Sequence, residues 1–435
     1  MWLLPIFSPL SRLALRSFYR LQIGGGCIPE RGPLLLVANH PNSLLDPAAV
    51  IAVAGRPVRF LAKAPLFRHP LVGWLVRGAG AIPVYRRQDD PALLGRNDDT
   101  FRAAHEALRR GDAIGIFPEG MTHSEPSLVP LRTGAARIAL GAAGPGGTSF
   151  PIVPVGLVFR DKQKFRSAAV SVVGRPIEWD DLAARGESDP SAVRDLTARI
   201  DAGLREVTIN LERREDASVV VAAEEIYNAE RGVRLPEPEQ VRALSEVSRA
   251  LAKLREGDRD DWLPLARKVR HHSRRLARLG LRPHELGRPG GRAALAWVVR
   301  QTVVLSLLLI PALIGAITYF IPYRVTDAVT HRSGPNPDTE ATYKLLIGAV
   351  AHLLWTMLVA LTIGAVAGAG WGFAAALLLP AAGWSTVRFG ERWLRGRATV
   401  RRYLARERRE ELLARLAARQ AEIAAELAEL RASLH

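Results

Sequence analysis

Cysteine is nearly missing from this chain. Cys27 is the single one in 435 residues, which excludes an intrachain disulfide and any cysteine-built metal site. Its plain reading is a small apolar filler. Several catalytic signatures are also missing. No Gly-x-Ser-x-Gly elbow, no Gly-x4-Gly-Lys-Ser/Thr phosphate loop and no His-Glu-x-x-His helix occurs, so nothing points to those nucleophile, nucleotide or zinc chemistries. His69, His105, His271 and His272 are scattered and read as ordinary surface or core residues. No metal or cofactor is expected. Charge is absent from two long stretches. Gln301–Tyr323 holds 23 residues without a charged side chain, and Leu345–Val387 runs 43 residues without Asp, Glu, Lys or Arg.

What is present is positive charge and apolar bulk. The formal net charge is +17 and 48% of residues are hydrophobic. Such a balance suits a nucleic acid, an anionic membrane or an anionic substrate. The apolar stretches favour the membrane and argue against a nucleic-acid partner. The first residues lack an early basic region and a small-residue cleavage site, unlike a signal peptide. Arg12, Arg16 and Arg20 recur every four residues, on one helical face. Residues 1–23 are therefore expected to form an amphipathic helix on a membrane surface. Packing on the chain's own domain is the alternative.

Residues 24–180 alternate apolar runs with helical stretches. Leu34–Ala38, Val58–Ala62, Ala113–Phe117, Ile152–Phe159 and Ala168–Val173 read as buried strands, with helices at Pro47–Ala54 and Asp99–Arg110. This alternation predicts an α/β domain, a mostly parallel sheet covered by helices. Residues 185–290 read as a helical extension with helices at Leu196–Leu211, Val219–Arg231, Pro238–Glu256 and Trp262–Leu279. Lys268–Arg275 within it is densely basic, either a solvated face or a dock for anionic headgroups.

Residues 301–387 form the expected transmembrane region, with two or three helices. Arginines flank it on both sides, before residue 301 and from Arg388 to Arg409. Both flanks are expected on the cytoplasmic side, which requires an even number of crossings, whereas length alone suggests three. Gly364, Gly368, Gly370 and Gly372 would let helices approach closely. Residues 388–435 continue as a basic helix and a short heptad segment. Leu413, Leu416, Gln420, Ile423, Leu427, Leu430 and Leu434 make its seam. This seam pairs either with a second copy, giving a homodimer through residues 413–434, or with the chain's own helices.

The chemistry-bearing residues cluster early. The strand Leu34–Ala38 ends at Asn39-His40, and Asp46 follows six residues after the histidine. Sites in α/β domains lie beyond the C-terminal ends of strands. A neutral histidine can take a proton from an attacking alcohol, and a carboxylate can hold its ring. Pro41-Asn42 and Pro47 imply a turn that brings the two together. A structural His–Asp hydrogen bond remains the competing reading of this pair taken alone. Three more segments follow: Gly80-Ala-Ile-Pro-Val-Tyr-Arg86-Arg87; Ile116-Phe-Pro-Glu119-Gly120; and Pro151-Ile-Val-Pro154-Val-Gly156. Between the last two, Pro130-Leu-Arg132-Thr-Gly134 opens a helix whose N-terminus suits a phosphate.

These four blocks, in this order across residues 39–156, resemble the glycerolipid acyltransferase family, the glycerol-3-phosphate and lysophosphatidate acyltransferases. The resemblance implies that His40 is the general base and Asp46 its orienting acid. It also implies that Asn39, Arg86 (or Arg87), Glu119, Gly120 and Pro154 serve substrate binding. Two departures matter. His40 and Asp46 are separated by five residues where the family motif has four, a spacing that resembles the glycerol-3-phosphate and dihydroxyacetone-phosphate branch. Met121-Thr122-His123-Ser124 follows Gly120 where many members have Thr-Arg-Ser, so the usual arginine is replaced by His123 or supplied elsewhere, with Arg132 as a candidate. The implied reaction moves a fatty acyl group from acyl-CoA or acyl carrier protein to glycerol-3-phosphate, with lysophosphatidate as the alternative acceptor. The implied setting is an integral membrane protein whose catalytic domain faces the cytoplasm among membrane lipids. A non-catalytic lipid-binding scaffold is the rival of another class.

Overall fold

The computed structural model describes residues 4–68, 72–85, 95–123, 125, 127–143, 148–211, 214–233, 235–256, 262–286, 291–334, 339–407 and 410–432. The chain divides into two compact units. One comprises Met1–Ala217, Leu235–Asp258 and Pro337–Thr342; the other comprises Ser218–Arg234, Arg259–Asn336 and Tyr343–His435.

The first unit runs α1 (Leu4–Phe18), β1 (Arg20–Gly25), β2 (Leu34–Ala38), α2 (Leu45–Ala54), β3 (Val58–Lys63), α3 (Pro65–Arg68), α4 (Val72–Gly78), β4 (Ile82–Val84), α5 (Asn97–Arg109), β5 (Ala113–Ile116), α6 (Gly134–Ala142), β6 (Ile152–Phe159), β7 (Ala168–Val173), α7 (Asp180–Ala183) and α8 (Pro190–Val207). The strands form one seven-stranded sheet in the order β1-β7-β6-β2-β5-β3-β4. Every pairing is parallel except β6 with β7. All five residues of β2 are buried, as expected of a parallel strand covered on both faces. Leu35 and Val37 join a core with residues of α5, α6, α7 and α8. Leu34 and Leu36, equally buried, alternate to the opposite face, where α1 and α2 pack on each other and α2 on the strands. The C-terminal ends of β2, β3, β4, β5 and β6 share one edge of the sheet, which carries the residues described below.

The N-terminal segment differs from the expected helix over residues 1–23. Its helix ends at Phe18, and Arg20–Gly25 joins the sheet as edge strand β1. The helix also packs on its own domain: Leu15 and Phe18 are buried, and Arg12 Nε donates to Ala52 O (2.9 Å). Ile6, Leu10 and Leu13, at helical spacing, stay exposed.

Residues 185–290 do not stay together either. After α9 (Arg214–Glu230) comes α10 (Glu237–Glu256), which packs on α8, β1 and β7 of the first unit. Most of α9 belongs to the second unit with α11 (Trp262–Arg278), α12 (Gly291–Ser333), α13 (Glu340–Ala367), α14 (Ala369–Glu407) and α15 (Glu410–Ala432). The division follows the apolar stripes. Leu196, Ile200 and Leu204 of α8 join the sheet's core, whereas Leu276 of α11 packs with Leu281, Leu413 and Leu416. The heptad seam of the tail is therefore covered by helices of the same chain. Leu416, Gln420 and Ile423 are buried, and Gln420 Nε2 donates to Glu230 Oε1 (2.7 Å). The buried part of the seam, Leu416, Gln420 and Ile423, thus favours pairing within the chain over a homodimer through residues 413–434, of which Leu434 lies outside the described residues.

Among the described residues two helices are long and apolar enough to cross a membrane, Ala296–Ser333 and Glu340–Ala367. Their side chains are bare to a degree water would not tolerate: Leu307 is 74% exposed, Ile317 77% and Leu361 67%. Such continuous apolar faces need a lipid environment, and this is a membrane protein. The third apolar stretch forms the first half of α14, which packs against α12. Thr386 Oγ1 donates to Ala312 O (2.8 Å), and a Cβ on Gly315 would come within 2.3 Å of Ala382 O. Small residues thus allow the backbones to meet. Gly364 and Gly372 also lie against each other, and Gly368 turns the chain at φ +103°. Gly370 faces open space.

Candidate active site

His40 sits just past the end of β2. Asn39 fixes this end: its Nδ2 donates to Leu157 O (2.9 Å) and its Oδ1 accepts from Leu157 N–H (2.7 Å), extending the β2–β6 ladder by one side chain. The chain then turns through residues 41–44 and enters α2, with Asp46 in its first turn. The turn holds the additional residue of the motif. Ser43 is left-handed at φ +47°, a conformation non-glycine residues rarely adopt, and Leu44 is turned out to solvent. This geometry brings His40 Nδ1 to 2.8 Å from Asp46 Oδ2.

Asp46 is wholly buried. Its Oδ2 also accepts from the Asn42 N–H (2.6 Å), and Oδ1 has no hydrogen-bond partner. Burial pushes its carboxyl above the ordinary range, against the opposing pull of His40 and the Asn42 amide. With Nδ1–H directed at Asp46, the neutral imidazole presents Nε2 as a lone-pair acceptor. The ring stacks on Phe117 (4.1 Å between centroids, 9° between planes), and Phe117 stacks on Phe60 (5.6 Å). Gly115 makes this possible, since a Cβ there would lie 2.3 Å from the Phe60 ring.

Glu119 follows β5 and is buried. Its Oε1 accepts from the His40 N–H (2.8 Å), and its Oε2 accepts from the Val129 N–H (3.3 Å) and pairs with His123 Nε2. His123 Nδ1 accepts from the Glu125 N–H (3.2 Å), so its proton lies on Nε2 and points to Glu119. His123 is thereby committed to holding the glutamate. Arg132 instead lies over Gly120: its Nε and Cδ sit 2.6 and 2.7 Å from where a Cβ would project, and Gly120 adopts φ +73°. Both features require glycine at that position.

A small cavity of about 110 Å³ lies beside His40. Asn39, Glu119, His123, Lys162, Thr208 and Asn210 contribute to its wall. Of the residues named from sequence, His40, Asp46, Asn39, Glu119 and Gly120 come together here, with Arg132 alongside. Pro154 does not line the cavity. It is buried in β6 with its ring against Gly174 and Gly203. Arg86 and Arg87 lie outside the described residues. Sequence reasoning missed Tyr19, Lys162 and the 208–210 segment, brought in by long-range contacts. Tyr19 is fully buried, its Oη accepting from Asn42 Nδ2 (2.9 Å) and donating to Lys162 O. Burial pushes its phenol far above its ordinary value and keeps it a donor.

Residues 21–158 match the model of the Acyltransferase family. Glycerol-3-phosphate O-acyltransferase 2 of Saccharomyces cerevisiae is 30% identical over 275 residues, 58% of this chain and 36% of that protein. Glycerol-3-phosphate O-acyltransferase 1 of the same yeast is 27% identical over 283 residues, 60% of this chain and 37% of that protein. A chloroplastic 1-acyl-sn-glycerol-3-phosphate acyltransferase of Brassica napus is 28% identical over 148 residues, 34% of this chain and 39% of that protein. The chain thus spans little more than a third of the yeast relatives it matches. The likeness to the Acyltransferase family thus lies within the α/β unit, over residues 21–158.

Proposed function

We propose that the chain transfers a fatty acyl group from a thioester donor, acyl-CoA or acyl carrier protein, to the hydroxyl of glycerol-3-phosphate. The observation that carries this reading is the His40–Asp46 pair, with Nδ1 bound to a buried carboxylate at 2.8 Å and Nε2 left for substrate. Nε2 takes the hydroxyl proton as the oxygen attacks the thioester carbonyl. Asp46 steadies the imidazolium that forms. The carbon–sulfur bond then breaks, and the imidazolium returns its proton to the departing thiolate. The products are an ester and a free thiol, and no acyl-enzyme is needed.

The cavity beside His40 favours a small polar acceptor. Its volume of about 110 Å³ suits a glycerol phosphate head and is far below the several hundred Å³ that enclose a drug-sized ligand. The names of the two yeast relatives point the same way. Lysophosphatidate is the second reading, supported by the name of the Brassica napus relative and open to a chain that lies outside the cavity. The scaffold reading is disfavoured by the assembled His40, Asp46 and Glu119.

For the membrane arrangement we favour two crossings, which leave both arginine-rich flanks on the cytoplasmic side. Cysteines introduced at residues 335 and 400 should then label from opposite sides. Labelling from one side indicates three crossings. The test of function is acyl transfer in reconstituted membranes, with glycerol-3-phosphate, dihydroxyacetone phosphate and lysophosphatidate offered side by side. A preference for glycerol-3-phosphate supports the reading. A preference for lysophosphatidate selects the second, and no transfer with either thioester donor removes both.

A further inference from the structure

The acceptor proposed above carries a phosphate, yet the cavity beside His40 is bordered by two carboxylates, Glu119 and Glu125. A dianion cannot settle there without a permanent cation. His123 is committed to Glu119. Among the described residues lining the cavity, Lys162 is the one lysine or arginine. We propose that Lys162, on the turn between β6 and β7, is a side chain that binds the acceptor's phosphate. This assignment rests on the proposed transfer to a phosphorylated acceptor. It falls outside the family-matched residues 21–158.

Lys162 is built into the site rather than loosely placed near it. Its backbone carbonyl accepts from the hydroxyl of Tyr19, a fully buried side chain. That same hydroxyl accepts from Asn42 Nδ2 (2.9 Å), and the Asn42 N–H holds Asp46 Oδ2 (2.6 Å). One phenol thus ties the lysine's main chain to the loop that orients His40. The far end of the turn is pinned as well. Arg166, at φ +62°, donates its N–H to Phe18 O (2.6 Å) and its Nη1 to Arg16 O (2.7 Å). The Asp161 N–H meets Ser167 Oγ (3.1 Å), and the Arg160 N–H meets Ala168 O (3.0 Å). A turn held at both ends positions its lysine without further ordering when substrate arrives. Lys162 and His40 line the same cavity. A phosphate neutralising Lys162 would therefore sit beside the catalytic pair, with the acceptor's hydroxyl within reach of His40. Lysine suits this role as a compact point charge with three donors.

The test uses the full chain in proteoliposomes, with Lys162→Met and Lys162→Arg. Methionine keeps the stem and the main-chain carbonyl that Tyr19 needs, so the fold and its thermal inactivation should not change. Losing one charge-assisted contact should raise KM for glycerol-3-phosphate about 10- to 100-fold. It should leave kcat and the donor's KM within about threefold. Inorganic phosphate, used as a competitive inhibitor, should weaken by a similar factor, and Lys162→Arg should recover most of both. An acceptor KM and phosphate inhibition unchanged in Lys162→Met would overturn the assignment while leaving the activity itself in place. A donor KM rising as much as the acceptor's would also overturn it. A wild-type protein inactive toward every phosphorylated acceptor would remove the proposed function, and the lysine's role with it.

Discussion

Replacing Asp46 with asparagine separates a catalytic carboxylate from a structural one. In the folded chain both His40 Nδ1 and the Asn42 N–H converge on Oδ2, while Oδ1 meets no partner. An asparagine oxygen at the Oδ2 position can accept both bonds, so the ring's tautomer and orientation survive and only the charge is lost. With Nδ1 and Oδ2 2.8 Å apart, the centres of charge of an imidazolium and a carboxylate lie about 4 Å apart. At an effective dielectric constant of about 20 their attraction is about 4 kcal/mol. That attraction exists in full only when His40 holds the proton, near the transition state, so kcat should fall about 1000-fold. KM values should barely move. Stability gains from loss of the carboxylate that burial penalises and loses from the new amide NH2 left without a partner at the Oδ1 position, so it should change by no more than about 3 kcal/mol. The assay is steady-state acyl transfer with thermal inactivation measured in parallel. A kcat within tenfold of wild type would show that the preserved hydrogen bonds suffice without the charge.

Three further substitutions test the surroundings. Tyr19→Phe strands Asn42 Nδ2 and the Lys162 carbonyl; it should cost about 1–3 kcal/mol of stability and lower kcat/KM. Unchanged thermal inactivation would show that the phenol's bonds are idle. Gly120→Ala forces a side chain into a left-handed position and against Arg132. It should cost about 1–2 kcal/mol and raise the acceptor KM, and a variant indistinguishable from wild type in both would remove Arg132 from the site. His272 is buried beside Gln420, and burial holds its pKa below the ordinary histidine value, helped by Arg419, Arg275 and His271. The unfolded chain then takes up the proton first, so stability is full above about pH 6.5 and declines as pH falls below it. Burial depresses His105 in the first unit in the same sense. Unfolding midpoints measured from pH 7 to pH 5 should fall in wild type, and His272→Leu should flatten the fall in the helical unit.

How much was legible depended on where each residue's partners lie along the chain. Leu34–Ala38, Ile152–Phe159 and Ala168–Val173 are continuous apolar runs because helices cover both sheet faces, and their limits agree with the structure. The edge strand β1, Arg-Leu-Gln-Ile-Gly-Gly, has no such run. It follows a helix directly, so its arginine read as part of the helical pattern. The three-residue β4 contains Pro83 and was equally silent. His40, Asp46, Glu119 and Gly120 were legible because they fall in two compact blocks just beyond β2 and β5. Tyr19 and Lys162 were not, since their contact joins positions 143 residues apart. Gly115 was the available clue to the Phe60–Phe117–His40 stack, as a glycine inside a strand signals close approach. The tail's seam was visible but its partner was not, because a leucine stripe fits a second copy as readily as α11.

His40 is assigned the proton transfer in acyl transfer to a glycerol phosphate. The direct measurement is the incorporation of a labelled acyl group from acyl-CoA or acyl carrier protein into glycerol-3-phosphate, in membranes containing wild type or His40→Ala. The account requires labelled lysophosphatidate from wild type, and none above background from a His40→Ala protein that inserts and melts as wild type does. Product formation by His40→Ala at a substantial fraction of the wild-type rate would contradict it.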